Sequence, residues 1–136
     1  MNLVVDASAV GAFLLPDELD DLSEYAAHCC RSQTIVVPPI WPTELAHLIL
    51  KAARRGRIDP IQLPRIHLNA DILCGEAQIA QAATIGKIID LAQRLNLSAY
   101  DASYAELARR LDVPLLTRDN ALARAAQTLG IALARP

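Results

Sequence analysis

Short apolar runs alternate with helical segments along the chain, and this alternation constrains the fold more than any other feature. The β-prone runs are residues 3–5, 34–37, 114–117 and 131–133. Each lies next to stretches with apolar residues at helical spacing. Short strands that alternate with helices predict an α/β domain, in which helices cover both faces of a mainly parallel sheet.

Helical periodicity extends over most of the remaining sequence. Pro42 suits the first turn of one helix, and Gly56 and Gly130 suit the ends of two. Residues 71–74 are interpreted as a further short strand. No repeat or linker divides the 136 residues, a usual length for one domain, so a single domain over 1–136 is expected. Helices are predicted over residues 7–15, 19–30, 42–56, 59–69, 79–95, 98–111 and 119–129.

Composition excludes several classes of protein. The net charge of −2 argues against a protein that coats nucleic acid through overall positive charge. The three cysteines, Cys29, Cys30 and Cys74, show no C-x-x-C spacing, so neither a disulfide framework nor a zinc ribbon is indicated. No apolar run approaches the roughly 20 residues of a membrane span. We therefore expect a cytoplasmic protein without a membrane partner.

Three acidic residues follow three of the predicted strands. Asp6 comes directly after the first strand, Glu44 shortly after the second, and Asp119 just after residues 114–117. The carboxyl ends of parallel strands meet at one edge of a sheet, where ligands bind. These acids are therefore expected at that edge. Asp101 is different, because a helix precedes it and strand order alone does not bring it there.

Each acid also has a simpler interpretation at the start of a helix. Asp6 and Asp119 suit N-caps, Glu44 lies in a first turn, and Asp101 is the N3 residue of a capping box that Ser98 begins. Several carboxylates at one edge, however, would raise each other's pKa unless a cation compensated them. Mg²⁺ and Mn²⁺ prefer oxygen ligands. The set of acids therefore predicts a divalent metal site.

Four segments of the sequence resemble the PIN-domain toxins of the VapC type. The segments are Val4-Val5-Asp6-Ala7-Ser8-Ala9, Pro42-Thr43-Glu44-Leu45, Leu97-Ser98-Ala99-Tyr100-Asp101-Ala102-Ser103-Tyr104 and Leu115-Leu116-Thr117-Arg118-Asp119. The resemblance implies a PIN-like three-layer α/β/α domain. It also implies a Mg²⁺- or Mn²⁺-dependent endoribonuclease, in which water attacks RNA and leaves a 5′-phosphate and a 3′-hydroxyl.

The same resemblance implies roles for individual residues and partners. Asp6, Glu44 and Asp101 would be the principal catalytic acids and metal ligands, and Asp119 would be the fourth. Partners would be an RNA substrate, a small antitoxin and a second copy in a homodimer. Whether one or two metal ions bind remains open, because the family often has a further acid or aromatic residue in the loop after Thr117, where this chain has Asn120 and Ala121. Supporting polar groups near the metal would be Ser8 and Thr117.

The helix that Pro42 opens carries a basic flank. Glu44, His47, Lys51 and Arg55 are three or four residues apart and share one side of the helix. Lys51 and Arg55 could contact an RNA backbone there, although basic residues near a helix end are also favoured by the helix dipole. Arg118 is either a phosphate contact or a surface charge. His47 is not expected to act as a base, because no Ser or Cys nucleophile pattern accompanies it.

Two other functions use similar residues. An aspartyl-phosphate type phosphohydrolase would place an acid after its first strand, but it would also need a second Asp two residues later, where this chain has Ser8. A PIN-like module that binds RNA or protein without cleavage is the non-enzymatic alternative. The presence of all four acids favours cleavage over binding alone.

Overall fold

A sheet of four parallel strands organises the molecule, and the computed structural model describes all residues from Met1 to Pro136. The sheet order is β3-β2-β1-β4, and each neighbouring pair is parallel. The strands are β1 (Asn2–Val5), β2 (Thr34–Val37), β3 (Gln78–Ile79) and β4 (Leu115–Leu116). The helices are α1 (Ala7–Leu14), α2 (Asp21–Ser32), α3 (Trp41–Arg54), α4 (Leu63–Glu76), α5 (Ile85–Leu95), α6 (Ala99–Leu111) and α7 (Asn120–Thr128).

The helices pack in two groups around the sheet. Helix α1 packs against α2, α3 and α4, whereas α6 packs against α5, α7 and β1. Residues 3–5 of β1 are fully buried, as expected for a central strand that helices cover on both faces. Aliphatic side chains supply most of the core, and Trp41 and Tyr104 are its largest fully buried side chains. The predicted α/β/α fold class is confirmed.

Local sequence signals set most helix boundaries. Side chains of Asp20, Thr84 and Ser98 cap the N-termini of α2, α5 and α6, as does Asp6 for α1 and Asp119 for α7. Helices α3 and α4 instead have a proline in the first turn. Gly56 and Gly130 adopt φ of 70° and 73° just beyond α3 and α7, as predicted. No helix is both long enough and apolar enough to cross a membrane.

The strand predicted over residues 71–74 is wrong, because those residues belong to α4. Ile66, Ala70 and Leu73 are buried at spacings of four and three residues, which is the stripe of one helix face. Ile72, which made the segment look like a strand, is instead 51% exposed. The predicted end of the helix near residue 69 was therefore too early.

Other boundaries also differ from the prediction, and α4 begins at Leu63 rather than at residue 59. The helix predicted from residue 79 begins at Ile85, because Thr84 caps it and Ile79 belongs to the two-residue strand β3. The last predicted strand, residues 131–133, is reduced to one bridge between Leu133 and Leu115. Its residues nevertheless lie beside β4, since Leu115 N donates to the Ala132 carbonyl.

Asp112 ends α6 in the left-handed backbone conformation, and this conformation can be tested by substitution. Asp112 is exposed and has φ of 53°. Most L-residues pay about 1–2 kcal/mol in this region, and glycine pays nothing. We expect Asp112→Val to lower the free energy of unfolding by about 1–2 kcal/mol, and Asp112→Gly to change it by less than about 0.5 kcal/mol. Urea denaturation measures both. Equal destabilisation by valine and glycine would contradict the assignment.

Candidate active site

The carboxylate of Asp6 lies at the end of β1 and is 4% exposed. Its Oδ1 accepts hydrogen bonds from Ser8 Oγ at 2.6 Å and from Ala9 N at 3.1 Å. Its Oδ2 accepts a hydrogen bond from Thr117 Oγ1 at 2.6 Å. Asp6 is thus the N-cap that the sequence suggested, but three donors from two segments also fix both of its oxygens.

Ser8 and Thr117 connect Asp6 to the loop after β4. Ser8 Oγ accepts a hydrogen bond from Arg118 N at 3.2 Å, and Thr117 Oγ1 accepts one from Asp119 N at 3.0 Å. Each hydroxyl therefore donates to Asp6 and accepts from the loop. This arrangement holds Asp119 close to Asp6.

Glu44 lies in the first turn of α3, and a tyrosine from α6 holds its side chain. Tyr104 is 1% exposed, and its hydroxyl donates to Glu44 Oε1 at 2.6 Å. In the sequence Tyr104 stands out only as part of the motif around Asp101, and its contact with Glu44 was not predicted. A signal was present, because Tyr104 follows Asp101 by three residues and therefore shares its side of the helix.

Asp101 and Asp119 lie at the N-termini of α6 and α7. Asp101 N donates to Ser98 Oγ at 3.0 Å, as in the predicted cap. Asp119 Oδ1 accepts from Leu122 N at 2.8 Å and caps α7. Both acids therefore have a local structural role, but neither is fully buried.

All four acids line one cavity of about 150 Å³, here called the acidic cavity. Strand order alone could not place Asp101 in this cavity. Asp101 lies there because the first turn of α6 faces the same edge of the sheet. The complete lining consists of Asp6, Ala7, Ser8, Glu44, His47, Leu48, Asp101, Tyr104 and Asp119.

Three of the four acids have carboxyl groups whose pKa is raised above the usual range. Burial is the largest cause for Asp6, Glu44 and Asp101. The negative charge of Asp119 raises the pKa of Asp6 and Asp101 further, and that of Asp101 raises the pKa of Glu44. Hydrogen bonds from Ser8 and Thr117 act in the opposite direction on the pKa of Asp6. The cavity therefore carries charges that repel one another.

The donor atoms of the acidic cavity suit a hard divalent cation. No group of three His, Cys, Asp or Glu side chains is arranged closely enough to hold one metal ion. Mg²⁺, however, usually keeps several waters and binds through only one or two carboxylates. One or two of the four carboxylates would supply those ligands, and the cavity of about 150 Å³ leaves room for water. The residues present therefore fit such an ion.

The residues predicted to contact RNA lie outside the acidic cavity. Lys51 is exposed on α3 and Arg55 is exposed just beyond its end, and neither takes part in an ion pair or a side-chain hydrogen bond. They continue the helix side of Glu44 and His47, and Lys51 and Arg55 are here called the α3 flank. Arg118 instead pairs with Asp20 at 2.6 Å, which ties the loop after β4 to the start of α2.

Comparison with known proteins gives consistent results. Residues 3–127 match the PIN domain family. The chain is 30% identical to Ribonuclease VapC3 of Pyrobaculum aerophilum over 124 residues, which cover 90% of this chain and 93% of that protein. The crystal structure of PAE2754 from Pyrobaculum aerophilum is similar with a TM-score of 0.73 and 21% identity, over 92% of this chain and 87% of that chain.

A second solved structure is similar over almost the whole chain. VapBC2 from Rickettsia felis, bound to a DNA fragment from its promoter, gives a TM-score of 0.65 and 14% identity, over 98% of both chains. At this identity the similarity concerns the fold alone. The resemblance that the four sequence motifs indicated is confirmed by the family match.

The repulsion in the acidic cavity predicts a stability effect of Asp101→Asn. Folding raises the pKa of Asp101, so its ionised carboxylate destabilises the folded state at neutral pH. This destabilisation disappears as the pH falls to the pKa that the carboxyl has in the unfolded chain. In EDTA at pH 7, Asp101→Asn should therefore raise the free energy of unfolding. The gain should shrink as the pH approaches about 4.

Thermal unfolding at several pH values measures this effect. Asp71→Asn, which removes an exposed carboxylate from α4, is the matched control and should give no comparable gain. An Asp101→Asn protein that is less stable than the parent chain in EDTA at pH 7 would contradict the repulsion.

Proposed function

The chain belongs to the PIN-domain family, and from this premise we propose that it is a metal-dependent endoribonuclease of the VapC type. The observation that supports this proposal most is the convergence of Asp6, Glu44, Asp101 and Asp119 in one cavity. These residues come from four separate segments of the chain. Helix capping alone would explain each acid singly, but it would not require them to meet.

The four carboxylates are the proposed ligands of Mg²⁺ or Mn²⁺. When bound, such an ion supplies positive charge that offsets the charge of an RNA phosphate, and it makes water a better nucleophile. The protein residues hold the ligands in place. Ser8 and Thr117 fix both oxygens of Asp6, and Tyr104 fixes one oxygen of Glu44. These contacts set the positions of two ligands before substrate arrives.

RNA would reach the acidic cavity along the α3 flank. Lys51 and Arg55 are free of protein ion pairs, so their charges are available to a phosphate backbone. Arg118 is a less accessible contact, because Asp20 already accepts a hydrogen bond from its Nη2. For Arg118 we propose a primary role in holding the loop that carries Asp119.

We further propose that the chain acts as a toxin with a small antitoxin as partner. The related protein from Pyrobaculum aerophilum is a VapC, and the similar structure from Rickettsia felis is a VapBC assembly. A homodimer in the cytoplasm is part of the same proposal. Growth arrest on expression, relieved by Asp101→Asn, would support a toxin role.

A phosphohydrolase of the aspartyl-phosphate type fits the geometry less well. The position two residues after Asp6 would have to carry a second acid, and here Ser8 donates a hydrogen bond to Asp6.

Cleavage of RNA in the presence of Mg²⁺ or Mn²⁺ is the direct test. We expect purified protein to cleave RNA with Mg²⁺ and not with EDTA, and Asp6→Asn and Asp101→Asn each to lower the rate at least about 100-fold. The control Asp71→Asn should retain the parent rate, because its carboxylate is exposed on α4. Gel analysis of total cellular RNA, with mapping of the new ends, measures the rate and identifies the substrate.

Undiminished cleavage in EDTA or by Asp101→Asn would refute the proposal, and RNA binding without any cleavage would favour the non-enzymatic alternative.

The Tyr104 hydroxyl provides a second test. Tyr104→Phe keeps the buried ring but removes the hydrogen bond to Glu44 Oε1. We expect stability to fall by about 1 kcal/mol and kcat to fall by about tenfold, because Glu44 is no longer held in place. Steady-state cleavage and urea denaturation measure the two effects. Tyr25→Phe on α2 is the control, and an equal kcat for both variants would exclude a positioning role for Tyr104.

A further inference from the structure

The acidic cavity contains few groups that can donate a hydrogen bond to a substrate. Ser8 and Tyr104 supply its two hydroxyl groups, and both hydroxyls already donate to carboxylates of the cavity. The remaining side chains, apart from His47, are carboxylates or apolar groups. An ionised carboxylate accepts hydrogen bonds and donates none. His47 is therefore the one lining residue with a side-chain donor that the protein does not use.

The imidazole of His47 lies between the acids and the basic residues of the α3 flank. His47 follows Glu44 by three residues, a rise of about 4.5 Å along the helix, and Lys51 lies about 6 Å further on. The side chain is exposed and makes no hydrogen bond within the protein. Its charge also lowers the pKa of Glu44, as expected for a close neighbour. A strand that leaves the acids along α3 must pass this residue first.

The charges of the cavity explain why a hydrogen-bond donor at His47 would help to bind RNA. The carboxylates repel the phosphates of an approaching RNA strand. A bound metal ion offsets this repulsion most strongly for the phosphate next to it. The next phosphate along the strand needs a donor from the protein. Lys51 and Arg55 can serve phosphates further along, but they do not line the cavity.

We propose that His47 is a substrate-binding residue that donates an imidazole N–H to a phosphate oxygen of RNA, where the strand leaves the acidic cavity for the α3 flank. This inference rests on the proposed function and specifies how the same site holds its substrate. It differs from the role of general base, which was not expected for His47, because it requires a donor and no nucleophile.

Paired substitutions separate the donor from the shape of the side chain. His47→Leu removes the donor, whereas His47→Gln keeps an N–H group on a flexible side chain. His28→Leu, at an exposed position on α2, is the matched control. All three are made in the Asp101→Asn background, so that RNA stays intact during the measurement. The probe is a short fluorescent single-stranded RNA, and anisotropy gives its Kd.

We expect His47→Leu to raise the Kd by about tenfold, close to the lower end of the value of a hydrogen bond to a charged group, because His47 is exposed. His47→Gln and the control should stay within about twofold of the parent. The same His47→Leu change in the active chain should raise KM for RNA more than it lowers kcat. An unchanged Kd in His47→Leu, or an equal loss in His47→Gln, would overturn the inference.

The outcome is distinguishable from failure of the proposed function. A parent chain that binds but never cleaves RNA, with weaker binding in His47→Leu, would refute the nuclease and support the role of His47. A parent chain that cleaves RNA, with binding unaffected by His47→Leu, would refute the role of His47 alone.

Discussion

A carboxylate buried at the end of a central strand has to be hydrogen bonded, because transfer of an unpaired charge out of water costs several kcal/mol. Asp6 meets this requirement with donors from Ser8, Ala9 and Thr117. Two of these donors come from the start of α1 and one from the loop after β4. The requirement therefore fixes the distance between two neighbouring strand ends, and with it the position of Asp119. The remaining acids are arranged around this buried group.

The parallel fold explains why the sequence could predict that three of the acids lie close together. Asp6, Glu44 and Asp119 follow strands, and the topology brings strand ends together whatever the detailed packing. Asp101 follows a helix, so its place depends on how α5 and α6 pack, which no local pattern encodes. Its inclusion came from resemblance to a family. The contact between Tyr104 and Glu44 spans 60 residues, and only the three-residue spacing of Asp101 and Tyr104 pointed toward it.

The errors in secondary structure also have physical causes. Residues 71–74 have the composition of a strand, but burial of Ala70 and Leu73 against the core favours continuation of α4. Strand β3 has only two exposed residues and exists through pairing with β2, so no periodicity could reveal it. Residues 131–133 make one bridge at the sheet edge. Such short edges depend on the partner strand more than on their own sequence.

Trp41 begins α3 three residues before Glu44, and it is the chain's one tryptophan. Its indole is fully buried, and Nε1 has no hydrogen-bond partner. Intrinsic fluorescence excited at the red edge of the protein band therefore comes from one buried position at the start of α3. A shift of that emission to longer wavelength would signal that water has entered at the base of α3. Inactive variants with the parent spectrum can thus be separated, in a single cuvette, from variants that have lost the fold.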